Sequence, residues 1–214
     1  MKTSLFLLSL VFITSCKNET NKTVDQNSAA ADTLTFGPTK ASSVKENKIL
    51  TVEDIKKEYG ILNGELSKGK LDSLSFKYEC DERSGEVTFY SDKEGLKIIK
   101  HFYAEYSHFS SVENYFIKNE TPFFILKEDT SWSFDDGTPE KPETKDDIIE
   151  QRIYLQNGKA IKCLEKNYMV KSSGSSPDPG KILNKEIQCS GEELLKTYGL
   201  LLKSKEKRGE IKCL

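Results

Sequence analysis

The chain has only two histidines, and it contains no Cys-x-x-Cys, Gly-x-Ser-x-Gly, His-Glu-x-x-His, P-loop or dinucleotide-binding fingerprint. Those absences remove the sequence arguments for a zinc or redox pair, a hydrolase nucleophile, a metalloprotease helix and a nucleotide cradle. A basic excess is also lacking. With 32 basic against 34 acidic residues, no electrostatic footprint for nucleic acid is present. The long apolar run, Leu5 to Ile13, is too short for a bilayer, which takes about 20 residues. The expectation is a protein with no catalytic residues, no metal ligands, no cofactor and no nucleic-acid partner.

What is present begins at the N-terminus. Met1-Lys2 is a basic start, Leu5 to Ile13 is apolar, and Ile13-Thr14-Ser15-Cys16 closes the segment with small residues before a Cys. This order is that of a secretory signal. The Cys directly after it resembles the bacterial lipoprotein signal, in which that Cys is acylated and becomes the mature N-terminus. Three fatty chains on Cys16 would exceed the two signals that stable anchoring needs. Lys17 stands where an Asp would mark inner-membrane retention, so the resemblance implies the outer membrane, facing either the periplasm or the surface. Removing the signal removes only Lys2, leaving 31 − 34 = −3 for the mature chain.

Cys16 is the odd cysteine of five. Cys80, Cys163, Cys189 and Cys213 remain, an even number in an oxidising compartment, and two disulfides are expected. Four cysteines allow three connectivities. The preferred pairs are Cys80–Cys163 and Cys189–Cys213, the second because a returning tail of about eight residues, reaching about 26 Å, can close over a helix about 21 Å long.

The chain divides into a signal peptide (1–15), a lipidated Cys with a polar tether (16–48), a helix with a meander (49–171), and a linker with a C-terminal helical segment packed on the same domain (172–214). Thr51 and Asp54 form a variant capping box, and Val52, Ile55, Tyr59, Leu62 and Leu66 make one apolar stripe. The period then changes to two at Leu74, Phe76, Tyr78 and Cys80. Three hairpins follow, turning near Gly95, at Asn119-Glu120 and at Asn157-Gly158. Asn-Gly is the strongest turn, because type I′ needs positive φ at both positions. Extrapolated from it, Leu155 pairs with Ala160, Tyr154 with Ile161 and Arg152 with Cys163. Asp135 to Asp147 reads as a long solvated loop with Trp132 at its root, since Pro139 and Pro142 stop a strand. Ser190 caps a last helix bearing Leu194, Leu195, Tyr198, Leu201 and Leu202. The expected fold is α+β: a twisted antiparallel β-meander of about seven or eight strands with one N-terminal and one C-terminal helix, the helices covering one face or an open edge.

Phe76-Lys77-Tyr78-Glu79-Cys80, Asn114-Tyr115-Phe116-Ile117, Trp132-Ser133-Phe134-Asp135 and the run from Glu150 to Leu164 carry a resemblance to a family of uncharacterised envelope lipoproteins of Gram-negative, Bacteroidetes-like bacteria. It covers roughly residues 50–205. The resemblance implies the β-meander and supports Cys80–Cys163, and it implies no chemistry.

His101 and His108 read as surface or hairpin positions. Glu150 and Arg152 share a strand face beside Glu165 and read as a cross-strand ion pair. Tyr90, Tyr115, Tyr154 and Trp132 are the candidate partner-binding residues, because aromatic anchors are enriched at binding surfaces. The functional expectation is a non-enzymatic binding or scaffold module, anchored in the envelope by its lipid, with a protein partner on an exposed sheet face or edge. A second reading is an inhibitor or immunity protein against an envelope-targeted hydrolase or toxin, with the Trp132 segment as the plug. An envelope enzyme has the least support.

Overall fold

Eight strands follow one another in a single antiparallel sheet, each paired with its sequence neighbours, in a computed structural model that describes residues 49, 51–205 and 213–214. The signal, Cys16 and the tether lie outside the described residues. The strands are β1 (Asp72–Cys80), β2 (Arg83–Asp92), β3 (Gly95–Glu105), β4 (Phe109–Lys118), β5 (Thr121–Thr138), β6 (Lys141–Gln156), β7 (Lys159–Lys171) and β8 (Lys185–Ile187). Helix α1 (Val52–Ser67) precedes them and α2 (Glu192–Lys205) follows. The meander and the two terminal helices are as the periodicity predicts.

Local chemistry explains the elements. Thr51 accepts from the Asp54 backbone at 3.1 Å while Asp54 accepts from the Thr51 backbone at 3.0 Å, closing the capping box of α1. Asn157 and Gly158 both have positive φ (51° and 72°), as a type I′ turn requires. The turn at Asn119-Glu120 has the same sign pattern.

The helices lie on opposite faces of the sheet rather than on one face or an edge. The stripe of α1 packs on Ile98, Phe116, Phe124 and Tyr154. Tyr198 and Leu201 of α2 pack with Phe89, Ile99, Tyr115, Ile125 and Ile153. These positions alternate along the strands, so each belongs to the face its helix covers. The cause is visible in the runs Ile98-Ile99, Tyr115-Phe116-Ile117, Phe123-Phe124-Ile125 and Ile153-Tyr154-Leu155, which are apolar on both faces and demand two covers. Tyr115 and Tyr154 are therefore core residues and not partner-binding ones, and Tyr90 is half-buried against the α1 cluster.

Helix α2 crosses the strands. Gly191 lies beside Ile153 and Leu155 of β6, Tyr198 meets Tyr115 of β4, and the Lys205 ammonium sits over Phe89 of β2. Fourteen residues at 1.5 Å give about 21 Å, close to four or five strand spacings of about 4.8 Å. This crossing decides the disulfides. They join Cys80 to Cys213 and Cys163 to Cys189, which corrects the preferred pairing. Cys80 on β1 and Cys163 on β7 are six strands apart, about 29 Å, far beyond the ~7 Å limit between bridged Cα atoms. Helix α2 instead carries the chain from Cys189 back across the sheet towards Cys80.

Residues 135–147 are not a loop. β5 and β6 continue as a paired ribbon to Thr138 and Lys141, Pro139 stands in the two-residue turn, and Pro142 pairs with Gly137 beside a bulge. The neighbouring strands stop short of the tip: β4 reaches Ser131 and β7 reaches Lys145. Pro142 is tolerated because no further strand needs its missing N–H.

Candidate functional site

The helices cover the end of the sheet that carries the turns at Asn119 and Asn157. The other end carries the β3–β4 turn and the β5–β6 ribbon, and aromatic side chains gather there. Trp132 is one residue past the last β4–β5 pair. Its backbone N–H donates to the His108 carbonyl at 3.0 Å, and its indole N–H donates to the Ser107 carbonyl. The His108 imidazole Nδ1 donates to the Trp132 carbonyl at 3.3 Å, and the two rings stack with centroids 4.1 Å apart. Phe134 meets Trp132 edge-on at 5.6 Å and 83°. Hydrogen bonds thus hold the indole in place. Phe134 remains 65% exposed and Tyr106, in the adjoining turn, 73%.

Trp132 lies on the α1 face, since Phe124, Leu126, Glu128, Thr130 and Trp132 alternate without a bulge. Eight residues from Phe124 place it about 26 Å along the strand. Asp146 stands directly opposite Trp132 across β5–β6, on the same face, where facing Cβ atoms are about 5 Å apart. The ribbon's cations face the other way. Lys145 and Lys171 are paired across β6–β7 on the α2 face, and Lys171 binds Asp135 at 2.7 Å. That hydrogen bond holds the Asp135 carboxyl below its ordinary value.

A second polar group is sealed in the α2 face. His101 is 2% exposed and Glu113 4%, so the reading of His101 as a surface position is corrected. They are directly paired across β3–β4, and His101 Nδ1 lies 3.1 Å from Glu113 Oε2. Tyr115 donates to the same carboxylate oxygen at 2.6 Å, and the Tyr78 hydroxyl lies 2.8 Å from His101 Nε2. One donor arrangement satisfies every contact: Tyr78 donates to Nε2, and Nδ1 and Tyr115 donate to Glu113. Burial pushes the Tyr78 phenol up to about 12 and, helped by Glu113, raises Tyr115 further, so both stay donors. Gly85 permits the arrangement. A Cβ there would run into the Tyr78 ring. The network is closed to solvent, and its chemistry is that of a fastener across four strands.

On the α1 face Glu150 meets Arg152 at 2.8 Å and Lys166 at 3.1 Å, and Lys166 donates to the Pro179 carbonyl at 2.9 Å. Glu165, expected beside them, faces the other way and accepts from Gln151 at 2.9 Å. Two clefts open at the helix-covered end: one of about 590 Å³ between the Asn119 and Asn157 turns, and one of about 730 Å³ between Glu58 of α1 and Tyr198 of α2. The second carries charges of both signs, and Lys118 in it already binds Glu58 at 3.0 Å.

Among the described residues no three His, Cys, Asp or Glu side chains converge as metal ligands. Of the aromatic candidates, Trp132 and Tyr90 are half-buried, and Trp132 alone lies at the end of the sheet away from the helices. Tyr106, His108, Phe134 and Asp146 join it there. The clue to them was the acidic, Pro-bearing stretch that hid a ribbon. The chain matches no family model, no curated protein and no solved structure.

Proposed function

We propose that this protein is a non-enzymatic binding module of the cell envelope, held at the outer membrane by lipid on Cys16, that engages a protein partner through the aromatic end of its sheet. The supporting observation is that Trp132 is clamped by three hydrogen bonds to the β3–β4 turn while Phe134, edge-on to it, and Tyr106 of that turn are exposed. Exposed rings on a rigid scaffold lose little entropy on binding. The order of residues up to Cys16 supports the anchor, and the resemblance to envelope lipoproteins agrees with it.

A second reading, an inhibitor of an envelope-targeted hydrolase or toxin, is favoured by the ribbon tip. Between Phe134 and Thr144 it extends past both neighbouring strands as two strands alone, a shape that suits insertion into a cleft.

The test places a photo-crosslinking residue at Phe134, and separately at Leu74 on β1, in the full chain in intact cells. One discrete adduct from position 134 and none from 74 is expected. Equal labelling from both, or none, overturns the module reading, and a hydrolase as the adduct selects the inhibitor. Cys16→Ser should leave the membrane fraction, and a variant that still sediments with membranes removes the anchor.

A further inference from the structure

We infer that the corner formed by Trp132, Phe134 and Asp146 receives a cationic side chain, so that the partner presents an exposed Lys- or Arg-bearing segment. This rests on the binding-module reading and names the partner's chemistry.

Three observations carry it. First, an indole is the best aromatic face for a cation, and Trp132 is held still by its bonds to Ser107 and His108. Second, Asp146 stands across from it on the same face and forms no ion pair among the described residues. Third, the ribbon's cations stand away from Asp146. Between Thr130 and Asp147 there are six acidic and two basic residues, and of the acids Asp135 and Asp147 share the opposite face with Lys145. Of the cations, Lys145 faces the opposite side of the sheet with Lys171, and Lys141 sits at the tip. The nearest buried cation on the Trp132 face, Lys166, is held by Glu150. An aromatic surface with an uncompensated carboxylate complements a cation flanked by apolar carbon, which describes the stem and head of Lys or Arg. An acidic segment would meet repulsion, and a neutral one would leave Asp146 unpaired under it.

Trp132 is the single tryptophan, so its emission reports binding at this site. The full chain in neutral detergent is titrated with acetylated Lys-Gly-Lys-Gly-Lys, its Arg and Glu counterparts, and an N-acetylglucosamine tetramer. The Lys and Arg peptides should shift the emission saturably, and the Glu peptide should not. Asp146→Asn should weaken the Arg peptide about two- to fivefold. Asp147→Asn makes the same charge change on the opposite face and should leave the affinity unaltered. Equal loss in both variants, binding of the Glu peptide, or a response to the glycan alone overturns the inference. If that happens while position 134 still crosslinks to one protein, the module reading stands and only the cation is lost. If the crosslink is absent too, both fall.

Discussion

Glu150 and Lys166 face each other across β6 and β7, their charged atoms 3.1 Å apart, and a single bulge puts them there. The Asn157-Gly158 turn pairs Leu155 with Ala160, but the register then slips so that Tyr154 meets Lys162 and Ile153 meets Cys163. Ile161, the inserted residue, is 43% exposed. Without the slip, the extrapolated register sets Glu150 against Glu165, like charges directly opposite and destabilising. With it, Glu150 gains Lys166, and Cys163 turns to the core face where Cys189 can reach it.

Lys166→Met should cost about 2–3 kcal/mol, because it strips a buried carboxylate of one of two cations and frees the Pro179 carbonyl. Glu150→Gln added to it should recover part of the loss. Urea unfolding followed by circular dichroism measures both, and an additive double variant would contradict the coupling.

Gly85→Ala should destabilise by about 1–3 kcal/mol, since the new methyl needs the space of the Tyr78 ring. Tyr78→Phe keeps the ring and removes only the donor to His101, at a cost of about 1–2 kcal/mol. Combined, the two should cost less than their sum, because both act through the Tyr78–His101 contact. Equilibrium unfolding of the three variants decides.

Alkali should unfold the protein cooperatively. The phenols of Tyr78 and Tyr198 are raised by burial from 10.0 to about 12 in the folded chain, and Tyr115 is raised as well. Between those values the unfolded chain binds fewer protons, so stability is whole below pH 10 and falls as pH climbs through about 12. Tyrosinate absorbance should therefore rise in two stages, exposed phenols first, buried ones together with loss of the circular dichroism signal. A single non-cooperative rise with the fold intact would count against the buried network.

Peptide mapping without reductant should return Cys80 linked to Cys213 and Cys163 linked to Cys189. From separations of 133 and 26 residues, chain entropy assigns the bridges about 5 and about 3.5 kcal/mol. Cys80→Ser with Cys213→Ser should thus lower the thermal midpoint more than Cys163→Ser with Cys189→Ser. A peptide joining Cys80 to Cys163 would refute the strand order itself.

Phe134→Ser should change the free energy of urea unfolding by no more than about 0.5 kcal/mol, since the ring is largely exposed, and should diminish the crosslink proposed for the ribbon. A large loss of stability would make Phe134 a structural residue.

Much of this was readable from neighbours in the chain. Thr51 and Asp54, three residues apart, cap a helix by themselves. Asn157-Gly158 turns a hairpin because its backbone tolerates positive φ. Trp132 stood out as the lone indole beside an acidic stretch. His101 was not readable, because its partners Tyr78 and Glu113 lie 23 and 12 residues away and only strand pairing brings them together. Tyr115 and Tyr154 were misassigned because alternation says which residues share a face but not which face is covered.

The chain alone determined the order of its helices and hairpins, because caps, turns and apolar periods act over a few residues and need no distant partner. The tertiary structure decided the rest: the bulge at Ile161, the opposite faces taken by α1 and α2, and the joining of Cys80 to Cys213. Each of these depends on which of several near-equal pairings buries more apolar surface and matches more charge. That balance exists only once all eight strands are side by side.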